Sequence, residues 1–72
     1  MKPFNADEVF EPLLADINNG DIKTTHQLRL VLESLSEQFN IKALVILEMF
    51  RAWLAKRNLD LLTEHGVVKI KR

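Results

Sequence analysis

Apolar residues recur at three- and four-residue spacing over three stretches of the chain, and each stretch predicts a helix. In the first, Val9, Phe10, Leu13, Leu14 and Ile17 form the stripe of a helix over about 6–18. Asn5 and Glu8 stand at capping-box spacing, and Phe4 is placed to staple onto Val9. Asn18-Asn19-Gly20 is a strong stop. Pro12 interrupts the pattern, because inside a helix it removes the bond to the Glu8 carbonyl at a cost of about 3 kcal/mol. The expectation is a helix kinked near Pro12, or a turn followed by a helix that starts there. In the second stretch, Leu28, Val31, Leu32, Leu35 and Phe39 fall within about 100° of one another on a helical wheel. Thr24 and Gln27 repeat the capping-box spacing, so a helix is predicted over 25–39. Only Leu30 leaves the stripe and points outward.

The third stretch organises the rest. Between Asn40, a good N-cap, and Asn58, which tolerates a left-handed backbone, no Gly or Pro occurs. Ala43, Ile46, Leu47, Phe50, Trp53 and Leu54 occupy one arc of about 120°. The opposite arc holds Ile41, Leu44, Val45, Ala52 and Ala55, broken only by Glu48 and Arg51. A helix apolar nearly all round lies at the centre of its fold or faces a partner. A central helix over about 41–57 is therefore predicted. It is too short and too often charged to span a membrane, which needs about 20 apolar residues.

Beyond Asn58, Leu59, Leu61 and Leu62 predict a short fourth helix over 59–64, ended by Thr63-Glu64-His65-Gly66. Residues 67–72 read as a short extended tail, a strand or a loose basic end. An ordered tail would pair with the tail of another chain or with the extended lead at Met1–Phe4. The predicted class is all-α: one domain over 1–72, a compact bundle of three to four short helices around the central hydrophobic helix.

Composition narrows the function more than it identifies it. With 72 residues the chain buries a modest fraction of its surface, and domains of this size commonly add disulfides, metals or a second subunit. It has no cysteine, which removes the first route and thiolate metal sites. Apolar content of 47% marks a globular chain. The formal net charge is zero but unevenly placed: three basic against seven acidic side chains in residues 1–38, seven basic against three acidic in residues 39–72. The two halves attract one another, within a monomer or between subunits. No apolar run follows the first residues, so no signal peptide is read and the expected compartment is cytoplasmic.

Chemistry is sparse. His26 and His65 are the two histidines, and neither has a nucleophile and an orienting partner at a recognisable spacing. Two glycines make no phosphate loop. No enzyme, no cofactor, no metal and no small-molecule substrate is expected. Leu35 to Met49 resembles a helix-turn-helix, with Leu35, Phe39, Ile41, Ile46 and Met49 as core positions, Ser36 at the small position and the turn at Asn40. That resemblance implies a DNA-reading second helix. Its outward positions would be Lys42, Ala43, Val45, Leu47 and Glu48, which offer one cation and repel phosphate at Glu48. The first expectation is accordingly a non-enzymatic protein–protein interaction or regulatory module, self-associating as a homodimer or docking another protein. Its candidate interface is Leu30, Ile41, Leu44, Val45 and Glu48. The alternative is a helix-turn-helix-like DNA-binding regulator contacting phosphates through Lys42, Arg51, Lys56, Arg57, Lys69, Lys71 and Arg72.

Overall fold

A computed structural model describes residues 3–72; Met1 and Lys2, half of the expected extended lead, lie outside the described residues. Three helices precede a β-hairpin: α1 (Ala6–Asn19), α2 (Thr25–Phe39), α3 (Ala43–Ala55), β1 (Asp60–Glu64) and β2 (Val67–Lys71).

Local chemistry accounts for each boundary. The Asn5 side chain accepts the Glu8 backbone N–H at 3.2 Å and caps α1. Gly20 closes it at φ 84°, a left-handed conformation in which the Gly20 N–H reaches the Asp16 and Ile17 carbonyls. The helix runs unbroken from Ala6 to Asn19 with Pro12 inside and solvent-exposed. It neither stops nor restarts at the proline. At α2 the Thr24 hydroxyl accepts from the Gln27 N–H at 3.1 Å, and the Gln27 side chain accepts from the Thr24 N–H at 3.2 Å, a complete capping box. Asn40 takes a different role from the one expected of it. Left-handed at φ 54°, it ends α2 by donating its N–H to the Ser36 carbonyl. Lys42 then precedes α3, which has no side-chain cap.

The all-α expectation is corrected by the C-terminal third. Residues 59–64 are not a fourth helix, and 67–72 is not a separate tail. Asp60–Glu64 and Val67–Lys71 pair antiparallel, in register from Asp60↔Lys71 to Glu64↔Val67. The class is α+β. The cause lies at His65-Gly66, which links the strands as a two-residue turn with φ 53° and 75°. Positive φ at both positions is the type I′ pattern, whose twist matches paired strands. A six-residue helix is marginal, whereas the hairpin satisfies its own backbone and buries Leu61 and Val68. The outer edge of β2 pairs with the Lys23–Thr25 link of the same chain. Val67 bridges to Thr24, the Thr25 N–H donates to the Gly66 carbonyl at 2.9 Å, and the Val68 N–H donates to the Lys23 carbonyl at 2.8 Å.

The core sits where α1, α2 and α3 meet the inner face of the hairpin. Phe10, Ile46, Phe50 and Leu54 are fully enclosed. Aromatic rings run through it: Phe10 lies 5.2 Å from Phe50 and 5.8 Å from Trp53, centroid to centroid. Phe4 packs edge-on against Phe10 and Phe39 at 5.6 and 5.1 Å, which seats its ring on the core. None of the helices is long and apolar enough to cross a membrane, among the described residues.

Candidate functional site

On α3, Ile46, Phe50, Trp53 and Leu54 turn inward. The helical period then carries Leu44, Val45, Glu48, Arg51, Ala52 and Ala55 to the other side, and all six are exposed. Leu44 retains 76% of its surface and Val45 46%. Leucine exposed to that degree beside a second apolar residue is an uncovered patch rather than an isolated surface side chain.

The patch borders a groove. Between α2, α3 and β1 lies a depression of about 440 Å³. Leu28, Leu32, Leu47 and Leu61 contribute apolar lining, Leu44 stands at the α3 side, and Arg29, Glu33 and Arg51 bring charge to it. The groove exists only because Leu61 and Thr63 point to the same face of β1, so it depends on the hairpin, where the leucine spacing alone predicts a helix. The signal that reveals it is His65-Gly66 between two short β-compatible runs.

The five candidate interface residues lie on α2, on the link before α3 and on α3 itself. Leu44, Val45 and Glu48 share the outer face of α3. Ile41 is half-buried against the core. Leu30 is 52% exposed, but on the outward side of α2 and away from the groove lining.

The seven basic candidates are also dispersed. Lys42 and Lys56 stand at opposite ends of α3, roughly 21 Å apart at 1.5 Å per residue. Arg51 borders the groove. Lys69 and Lys71 are exposed on β2, opposite Leu62 and Asp60 respectively, and Arg72 follows the strand. Arg57 has another task. Its guanidinium lies 3.7 Å over the Trp53 ring and donates to Asp7 Oδ1 at 3.0 Å. The Trp53 Nε1–H donates to the same oxygen at 2.8 Å. This clip ties the first turn of α1 to the end of α3. The Trp53 hydrogen bond, and after it the Arg57 charge, hold the Asp7 carboxyl below its ordinary pKa; partial desolvation acts against them.

His26 and His65 are both exposed, and His65 Nε2 lies 3.7 Å from the Glu64 carboxylate. Among the described residues no group of three or more His, Asp or Glu side chains converges as a metal site would require. No protein-family model, curated protein or solved structure matches the chain.

Proposed function

We propose that this chain is a small protein-interaction module that docks through the outer face of α3 and the groove beside it, with self-association as its primary mode. The observation that carries the reading is Leu44: a leucine 76% exposed at the lip of an apolar-lined groove. Apolar surface of this kind is a driving force for association, at about 25 cal/mol per Å² removed from water. The test is solution mass by light scattering over a dilution series, for the wild type and Leu44→Glu. A concentration-dependent dimer that Leu44→Glu dissociates, with the circular dichroism spectrum retained, is the expected result. A wild type that stays monomeric at every concentration ends the self-association reading.

A second reading has one observation in its favour. α2, the short link Asn40–Lys42, α3 and a following hairpin stand in the order of a helix-turn-helix with a β wing. The side chains oppose a groove-reading role. The exposed face of α3 offers one cation, Arg51, against one anion, Glu48, and Arg57 is engaged by Asp7. Binding in this mode would be backbone-directed and steeply salt-dependent. A gel-shift titration with duplex DNA at low salt, giving no shift, removes it.

A further inference from the structure

We infer that two copies of this chain pair α3 against α3 in antiparallel orientation, about a two-fold axis beside Met49 and Phe50. The inference rests on the docking role proposed for this face and specifies its occupant and orientation. Taking Leu44 as zero and 100° per residue, Arg51, Ala55, Glu48, Ala52 and Val45 follow within one arc of about 120°. Along the helix axis the order of chemistry on that face is bulky apolar, Glu48, Arg51, then small apolar. An antiparallel two-fold reverses the order in the second copy. Glu48 then meets Arg51 of the second copy, and the same pair recurs on the other side of the axis, as an isologous interface demands. Leu44 meets Ala55 in that register, and Val45 and Ala52 share the other side of the two helices, two positions out of it. Large residues against alanines allow the close approach that two leucine-rich surfaces would not. Neither Glu48 nor Arg51 takes part in an ion pair among the described residues, so both charges remain for an intermolecular contact. A parallel pairing places Glu48 on Glu48 and Arg51 on Arg51, which like-charge repulsion disfavours. Lys42 and Lys56 fall at the solvent edge of the antiparallel arrangement, where long stems keep their charges in water.

Charge exchange tests the orientation. Glu48→Arg and Arg51→Glu are made separately and together, and their dimer dissociation constants are measured by sedimentation equilibrium. Each single variant turns two attractive contacts into two repulsive ones and weakens its own dimer by about tenfold or more. An equimolar mixture of the two single variants forms heterodimers, and the double variant returns to wild-type affinity. Cysteine trapping is a second readout that does not depend on affinity, in a chain with no native cysteine. Mixed Leu44→Cys and Ala55→Cys proteins cross-link on oxidation, whereas Leu44→Cys alone does not. A wild-type dimer that Leu44→Glu dissociates, but in which the charge exchange restores nothing or Leu44→Cys cross-links to itself, overturns the antiparallel pairing and leaves the docking face standing. A monomeric wild type overturns both.

Discussion

Thr24, the N-cap of α2, is bridged to Val67, the first residue of β2. That bridge is made by backbone, while the Thr24 side chain completes the capping box with Gln27, so one residue starts a helix and lies against the hairpin. The C-terminal third is thereby built onto the middle of the chain. The chain's end and the entrance to α2 should consequently loosen together.

Gly66 is the position that tests this coupling. Its φ is 75°, and the space a Cβ would occupy there is open, so the penalty for a side chain is conformational and not steric crowding. Gly66→Val forces a β-branched residue into the left-handed region at a cost of roughly 1–2 kcal/mol. For a domain this small that lowers Tm by about 10 °C. Amide exchange should accelerate at Thr25 and Val68 together, because their N–H groups donate across the bridge. The companion His65→Asn, which creates the preferred Asn-Gly pair, should hold or raise Tm.

The Asp7 clip predicts a pH dependence. Asp7 has a lowered pKa in the folded chain, so its contribution is fully present above the unfolded carboxylate value and is lost as pH falls through the folded one. Acid unfolding monitored by Trp53 fluorescence should show that dependence in the wild type. Asp7→Asn keeps a hydrogen-bond acceptor for the indole but loses the charge that Arg57 faces, so its stability should vary less with pH over the same acid range. Equal acid sensitivity in both proteins would remove Asp7 as a source of it.

How much of the architecture is legible in the residues differs by element. Capping residues and apolar period identify α1, α2 and the inward face of α3, because helices are specified by neighbours three and four positions away. Asn40 shows the limit: its left-handed tolerance suits a C-cap as well as its side chain suits an N-cap, and only the path into Ile41 and Lys42 decides between them. The hairpin is hidden because Leu59, Leu61 and Leu62 are compatible with either period, and the deciding contacts, at Lys23–Thr25, lie far back in the chain. Of the candidate interface residues, Leu44, Val45 and Glu48 have exposed positions on α3 that are legible from the wheel. Leu30 is not separable from them, since its position depends on how α2 is rotated against α3. The Asp7–Arg57 contact has no local signal at all.

Pro12 makes a gain in stability available. It lies exposed in the middle of an unbroken α1, where it supplies no N–H to the Glu8 carbonyl. Pro12→Ala should recover most of the helix-interior penalty of about 3 kcal/mol. It gives back up to about 1 kcal/mol of restored freedom in the unfolded chain. A net rise of about 2 kcal/mol is expected in urea unfolding, with the slope of the transition unchanged.

The basic end of β2 requires a test that separates its charge from its backbone. Lys69 and Lys71 are exposed, but Ile70 between them is half-buried and pairs with Leu61. Deleting residues 69–72 therefore removes strand pairing over Asp60–Leu62 as well as three cations, and the truncated protein should unfold at lower temperature. Any loss of binding it showed would report folding. Lys69→Gln with Lys71→Gln removes two charges and leaves the register intact. Tm should change little, since exposed substitutions of this kind usually cost less than about 0.5 kcal/mol. If α3 is the docking face, the doubly substituted protein should dimerise as the wild type does, because neither lysine lies on that helix. If the hairpin instead contacted nucleic acid, the same protein would lose affinity with a shallower salt dependence, by roughly two in the slope of log K against log salt. The two measurements on one variant thus assign the basic strand to structure or to binding.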